Sequence, residues 1–168
     1  AEDTRVTLKL LNHFGIKKPL VSYFEHNKRT HGEIIIERLS RGETAAIVTD
    51  AGMPAISDPG EDLIRAAAQA GIEIESVPGP TAFATALALS ALPTGRFCFE
   101  GFLPTDKKEL KARLAELCEE PRTMIFYEAP HRLVKTLDAL LNALGDRNAA
   151  IAKELTKIHE TVLRTTLK

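Results

Sequence analysis

Thiols are scarce: Cys98 and Cys118 are the two cysteines in 168 residues. Two are too few for a disulfide framework, and they form no C-x-x-C pair for metal or redox work. Inert thiols in a reducing, cytoplasmic setting are expected. Long apolar runs are lacking as well. No stretch approaches the roughly 20 residues that a membrane helix needs. The opening residues Ala1-Glu2-Asp3-Thr4-Arg5 are charged and carry no secretory h-region. Nor is there an excess of one charge. With 22 basic against 23 acidic side chains, bulk electrostatics cannot coat nucleic acid. Lys17-Lys18, Lys28-Arg29 and Lys107-Lys108-Lys111-Arg113 remain as local basic patches or as ordinary solvated faces.

Several chemical signatures are absent too. His13, His26, His31, His131 and His159 show no metal-ligand spacing, and no H-E-x-x-H occurs, so no metal is expected. There is no G-x-S-x-G elbow and no Gly-Lys-Ser/Thr phosphate loop. No repeat, low-complexity tract or long Gly/Ser linker interrupts the chain.

What is present is alternation of helical and strand signals. Residues 4–14 read as a helix closed by Gly15, and residues 19–24 as a short strand. Asn27 or Thr30 is placed to cap a helix bearing Ile34, Ile35, Ile36 and Leu39 and ending at Gly42. Residues 44–49 form a small-apolar run without alternation, which suits a parallel strand covered on both faces. A helix over 61–70, a strand over 72–77 and an Ala-rich helix over 81–91 follow. The second part begins near Pro93-Thr94-Gly95. It reads as a strand over 96–103, a helix after Asp106, a strand over 123–127 and an amphipathic helix built on Leu133, Leu137, Leu140 and Leu144. Residues 149–152 and 161–167 read as closing strands. The expected class is α/β, with two small sheets joined near residues 92–96 and two α/β domains, 1–93 and 94–168.

In open α/β sheets, ligands bind beyond the carboxyl ends of the strands. The segment after Val48 fits such a place. Gly52 lets backbone approach a ligand, Met53-Pro54 fixes a turn, and Asp50 is placed to accept from a hydroxyl or ammonium. Two consecutive turns, Gly-x-Pro and Asp-Pro-Gly, are the plain alternative. Val77-Pro78-Gly79-Pro80-Thr81-Ala82 repeats the logic of strand, rigid turn and helix start. Glu128-Ala129-Pro130-His131-Arg132 sets an acid, an imidazole and a guanidinium at one strand end, or else is a helix start with proline at its first position. Glu25-His26-Asn27-Lys28-Arg29 is either a polar loop or a substrate-facing one.

Taken together, these motifs resemble the tetrapyrrole-methylase-like superfamily of S-adenosylmethionine-dependent methyltransferases. They are most similar to its branch that methylates the ribose 2′-hydroxyl of a cytidine in 16S ribosomal RNA. The segments that carry the resemblance include Ala1 to Arg5, Tyr23-Phe24-Glu25-His26-Asn27, Thr49-Asp50-Ala51-Gly52-Met53-Pro54, Ser57-Asp58-Pro59-Gly60 and Val77-Pro78-Gly79-Pro80. Further along come Phe97-Cys98-Phe99-Glu100-Gly101-Phe102-Leu103-Pro104, Phe126-Tyr127-Glu128-Ala129-Pro130-His131-Arg132 and Lys153-Glu154-Leu155-Thr156-Lys157.

The resemblance implies two α/β domains with the cofactor, S-adenosylmethionine, in a cleft between them. It assigns Asp50, Ala51, Gly52, Met53 and Ile56 to the cofactor loop, Thr81 and Ala82 to a second loop, and Tyr127 and Glu128 to the second domain's strand end. Asp3, Arg5, His26, Glu128 and His131 are the candidates for catalysis or for orienting the hydroxyl, with Arg5, Lys28 and Arg132 for RNA phosphates. Asp3 reads equally as the cap of the helix that starts at Thr4. Family members dimerise, and the implied partners are 16S ribosomal RNA or the small ribosomal subunit. Compared with the family pattern, the chain is expected to lack the first strand and its Pro/Gly-rich loop, and the last strands. Two other readings stay open: a methyltransferase of this fold acting on a tetrapyrrole or other small acceptor, and a fragment that binds no cofactor.

Overall fold

The computed structural model describes residues 1–24 and 28–168, together with the backbone but not the side chains of Lys28 and Arg29. Two compact units emerge, Ala1–Pro80 and Thr81–Lys168. The division precedes the one read at Pro93/Thr94, because the helix after Thr81 packs on strands of the second unit.

In the first unit, α1 (Thr4–His13) starts where the Asp3 carboxylate accepts the Arg5 N–H at 2.8 Å, satisfying one of the orphan donors of a helix start. Helix α2 (Lys28–Ser40) begins ahead of Thr30, so that residue lies inside the helix; Asn27 is outside the described residues. Helix α3 (Glu61–Gln69) packs against α2. Tyr23 is buried, and its hydroxyl donates to Asp62 of α3 at 2.9 Å.

The strands expected over 19–24, 44–49 and 72–77 are not formed among the described residues. A strand needs successive backbone bonds to a neighbour, and composition cannot supply the neighbour. The bonds present run through two residues. The Ala1 ammonium donates to Val21 O, Tyr23 N–H to Ala1 O, and Glu2 N–H to Val48 O. Ala1-Glu2 thus ties the 21–23 segment with two bonds and Val48 with one, rather than with ladders. Nor is the 44–49 run covered on both faces: Thr44, Ala45 and Ala46 are exposed. In the 72–77 segment Val77 is 90% exposed.

The second unit holds α4 (Ala82–Leu89), β1 (Phe97–Phe102), α5 (Lys107–Leu117), β2 (Thr123–Tyr127), α6 (Leu133–Leu144), β3 (Asn148–Lys153) and β4 (Thr161–Thr166). Strands β1 and β2 pair in parallel, and β3 and β4 pair antiparallel. The two small sheets therefore both lie in this unit, rather than one on each side of residues 92–96. Leu103, Leu114, Leu117 and Leu140 form a buried core, with Met124 and Phe126 packed on it from β2. Asp106 caps α5 through the N–H groups of Lys108 and Glu109. Gly145, at φ 72, closes α6, a conformation that glycine adopts without the Cβ penalty. With helices packed on a parallel strand pair, the chain is α/β.

Candidate functional site

In the first unit the loop after Val48 is held from the other end of the sequence. Glu2 Oε2 accepts the Thr49 hydroxyl at 2.7 Å and the Asp50 N–H at 3.2 Å. Next to Glu2, the Asp3 carboxylate is gripped by Arg5, with Nη2 to Oδ2 at 2.7 Å and Nε to Oδ1 at 3.1 Å. This pairing, with the capping bond, draws the Asp3 carboxyl down to about 2. Arg5 is held protonated mainly by Asp3 and further by the charge of Asp50. Asp3, Arg5 and Asp50, two expected catalytic residues and the first expected cofactor residue, are thus brought together in one unit.

Glu2 is the member that sequence reasoning missed. Its role depends on contacts 47 and 48 residues away, and its only signal was membership of the charged opening segment. Asp58 completes the group. Burial pushes its carboxyl up, opposed by the Thr49 hydroxyl, with repulsion from Glu2 and Asp50 adding to the rise. A hydroxyl has one proton, so Thr49 cannot serve both Glu2 and Asp58 at once.

The loop itself is bent by left-handed residues: Gly52 (φ 80), Ala55 (φ 67), Ser57 (φ 59) and Gly60 (φ 132). Non-glycine residues in this region cost about 1–3 kcal/mol each and persist where their surroundings hold them. At Gly52 the space that a Cβ would take is open, whereas at Gly60 a Cβ would collide with Ile47 Cδ1. Ala51 and Ile56 are exposed and Met53 is half-buried. An open backbone at Gly52, two residues after the exposed Asp50, fits an S-adenosylmethionine ligand. Its ammonium and sulfonium are cationic, and its ribose hydroxyls are donors that carboxylates accept.

In the second unit, Thr81 caps α4 with extended backbone (φ −127, ψ 135) and without a side-chain bond. The Phe83 N–H at the start of α4 donates to the Tyr127 hydroxyl at 3.2 Å. Tyr127 meets Phe99 and Phe102 edge-on, at 5.1 and 5.5 Å between ring centroids. Glu128 is nearly enclosed, with its side chain 6% exposed. It accepts from the Ala129 N–H at 2.7 Å and the Thr136 hydroxyl at 2.6 Å, and pairs with Arg132 Nε at 3.3 Å. Arg132 also donates to Leu103 O. Glu128 is thereby occupied in holding the start of α6, while His131 is exposed. His26 lies outside the described residues.

Ala82, Tyr127 and Glu128 line one cavity of about 1300 Å³, together with β2, β3 and the apolar face of α6. Small-molecule pockets run to about 300–1,000 Å³, and this one opens along the strand edges that carry no ladder. Its size alone therefore does not mark a ligand site. Among the described residues no group of three or more His, Cys, Asp or Glu is gathered to hold a metal ion. No described helix is long and apolar enough to cross a membrane.

Comparison with known proteins places this geometry in a family. Three curated relatives share the name Ribosomal RNA small subunit methyltransferase I. That of Halalkalibacterium halodurans is 54% identical over 168 residues, covering 100% of this chain and 58% of the relative. That of Xylella fastidiosa strain Temecula1 is 54% identical, covering 99% and 62%. That of Thermotoga maritima is 46% identical over 164 residues, covering 98% and 73%. The chain spans about three fifths of the length of the first two. The family model described as Tetrapyrrole (Corrin/Porphyrin) Methylases matches residues 1–168, and the chain belongs to that family.

Proposed function

We propose that the protein of which this chain forms part transfers a methyl group from S-adenosylmethionine to small-subunit ribosomal RNA. The acceptor in this reading is the ribose 2′-hydroxyl of a cytidine in 16S RNA, in the cytoplasm, by a homodimer. The observation that carries it is 54% identity over 168 residues to relatives named as small-subunit ribosomal RNA methyltransferases. The grouping of Glu2, Asp3, Arg5 and Asp50 around one loop supports the same reading.

S-adenosylmethionine, when bound, supplies a methyl on a positively charged sulfur that is open to in-line attack. What the chain must contribute is orientation and charge placement. Glu2 fixes the Thr49-Asp50 corner through two hydrogen bonds, leaving the exposed Asp50 carboxylate to accept from an ammonium or hydroxyl. Asp3, drawn down to about 2, is a weak proton acceptor near neutral pH. It orients a hydroxyl as a hydrogen-bond acceptor rather than deprotonating it. Arg5 is 87% exposed, so its guanidinium has an open face for a phosphate. Glu128 positions Arg132, and His131 and His26 are the imidazoles that remain as proton acceptors. Tyr127 steadies the start of α4 where Thr81 and Ala82 sit.

The test supplies methyl-tritiated S-adenosylmethionine with small ribosomal subunits, and in parallel with a tetrapyrrole acceptor. Label in the subunit RNA, located by nuclease digestion and mass spectrometry at a cytidine 2′-oxygen, is expected. Label in the tetrapyrrole would replace the reading. So would calorimetry with S-adenosylhomocysteine showing no heat.

A further inference from the structure

Strand β1 carries three phenylalanines, Phe97, Phe99 and Phe102. Strand β1 faces β2 in regular register up to Phe99↔Ile125, and then resumes at Gly101↔Phe126 and Phe102↔Tyr127. Glu100 is the extra residue of a β-bulge, followed by Gly101 at φ 62. Alternation along a strand would put Phe102 on the face of Cys98 and Glu100, which looks toward α5 through the Glu100–Arg113 ion pair. One inserted residue reverses that parity. Phe102 therefore joins Phe97 and Phe99 on the opposite face. There Phe83 of α4 stacks near Phe99 at 4.8 Å between centroids, and Tyr127 closes on both Phe99 and Phe102.

Phe99 and Tyr127 are half-buried, but Phe102 is 55% exposed at the carboxyl end of a parallel strand. It is braced edge-on by Tyr127, and the carbonyl of the next residue, Leu103, is held by Arg132. Lys153 lines the same cavity. An apolar ring half out of water, with the Arg132 guanidinium at the next residue's carbonyl, suits a flat aromatic ligand attached to phosphates. A cofactor's adenine is normally enclosed on most sides, whereas an unstacked nucleobase of single-stranded RNA lies on an open ring platform.

We propose that Phe102, re-aimed by the Glu100-Gly101 bulge, is a stacking platform for an unpaired nucleobase of the RNA substrate. The inference rests on the RNA-methyltransferase reading and names a recognition element for it. Its test measures fluorescence anisotropy of the 168-residue chain with a labelled single-stranded cytidine-rich RNA, and calorimetry with S-adenosylhomocysteine. Thermal unfolding of each variant checks the fold. Phe102→Ala and Phe102→Leu are expected to weaken RNA binding about tenfold, while Phe102→Trp keeps it and cofactor-product binding stays unchanged. A Gly101→Val variant, which disfavours the left-handed residue of the bulge, is expected to share the RNA defect. RNA binding by Phe102→Ala equal to that of the unaltered chain overturns the platform and leaves the methyltransferase reading standing. Retained binding in Phe102→Leu replaces stacking with plain apolar contact. Loss of S-adenosylhomocysteine binding instead moves Phe102 to the cofactor, and no RNA binding by the unaltered chain overturns both.

Discussion

Replacing Gly60 with alanine probes how the candidate cofactor loop is anchored. Gly60 is the N-cap of α3, at φ 132 and ψ −17, and is buried. Two costs arise. The backbone conformation is one that L side chains rarely adopt, worth about 1–3 kcal/mol. The added Cβ also meets Ile47 Cδ1, with Ala55 Cβ at 3.5 Å. Because Cδ1 ends a rotatable bond, Ile47 yields by leaving its rotamer, at about 0.5–1.5 kcal/mol. Glycine's entropic disadvantage in the unfolded chain returns about 0.4–1 kcal/mol, leaving a net loss of about 1–3 kcal/mol. Urea unfolding, followed with probes in the first unit, measures it as a lower midpoint at unchanged slope. Ile47→Val deletes the colliding atom. The double variant Ile47→Val/Gly60→Ala should therefore recover about 1 kcal/mol relative to the sum of the single changes. Gly52→Ala is the control, since its φ is 80 and no atom lies within 4 Å of the added Cβ. A Gly60→Ala midpoint equal to that of the unaltered chain, or strict additivity with Ile47→Val, would refute the anchoring.

Other perturbations separate the roles assigned above. Arg5→Ala removes the main cause of Asp3's low value, so its carboxyl should rise from about 2 toward 3.8, with the retained capping N–H of residue 5 holding it short of that value, read by carbon-detected NMR. The sign follows: a lowered folded value stabilises above the unfolded value, and that contribution fades as pH falls from about 4 toward 2. Arg5→Ala should therefore flatten the stability profile there. Glu2→Ala removes the acceptor of the Thr49 hydroxyl, which is then free to donate to Asp58. The Asp58 titration should move down, and S-adenosylhomocysteine affinity should fall about tenfold as a charged acceptor is lost; an unmoved Asp58 contradicts the shared-proton geometry. Glu128→Gln removes the charge that three contacts share and puts an amide donor where one carboxylate oxygen accepted, in an enclosed site. It should lower stability by about 1–3 kcal/mol, with methyl transfer per folded molecule nearly unchanged. A large loss of transfer at normal stability would instead make Glu128 catalytic.

Local pattern carried the helices of both units and the strands of the second, but not the strands expected in the first. The Leu133, Leu137, Leu140 and Leu144 stripe specifies a helix wherever it sits, and the run over 123–127 has a partner, β1, within the same unit. The runs over 44–49 and 72–77 are as apolar on paper. A strand is nonetheless a relation between segments: among the described residues the 44–49 run meets one backbone bond from another segment, Glu2 N–H to Val48 O, and the 72–77 run meets none. The same logic governs the site. Asp50 and Gly52 were legible because turn chemistry is local. Glu2 was not, because its partner lies 47 residues away. The β1 bulge was hidden because one extra residue is visible only against the register of β2.

That difference bears on which group takes the hydroxyl proton. A carboxylate held by an arginine is a stable anion, and stability as an anion is what makes a poor base. Asp3 is in that state, and Glu128 is closed off by three partners. Asp58 is the carboxylate that burial and neighbouring charge push the other way. Its position beside Thr49 links it through one hydroxyl to the Glu2-Asp50 corner. Attack on a sulfonium methyl also needs less from a base than attack on a neutral carbon, because the electrophile already carries the charge. In the proposed reading the proton can therefore leave late, to water, provided the hydroxyl has been aimed. In the proposed reading Asp3 and Arg5 are the fixed pair that would aim the hydroxyl and meet the phosphate. Exchanging the two residues, Asp3→Arg/Arg5→Asp, would keep the charges but lose the cap of α1, so transfer should fall with the geometry and not with net charge.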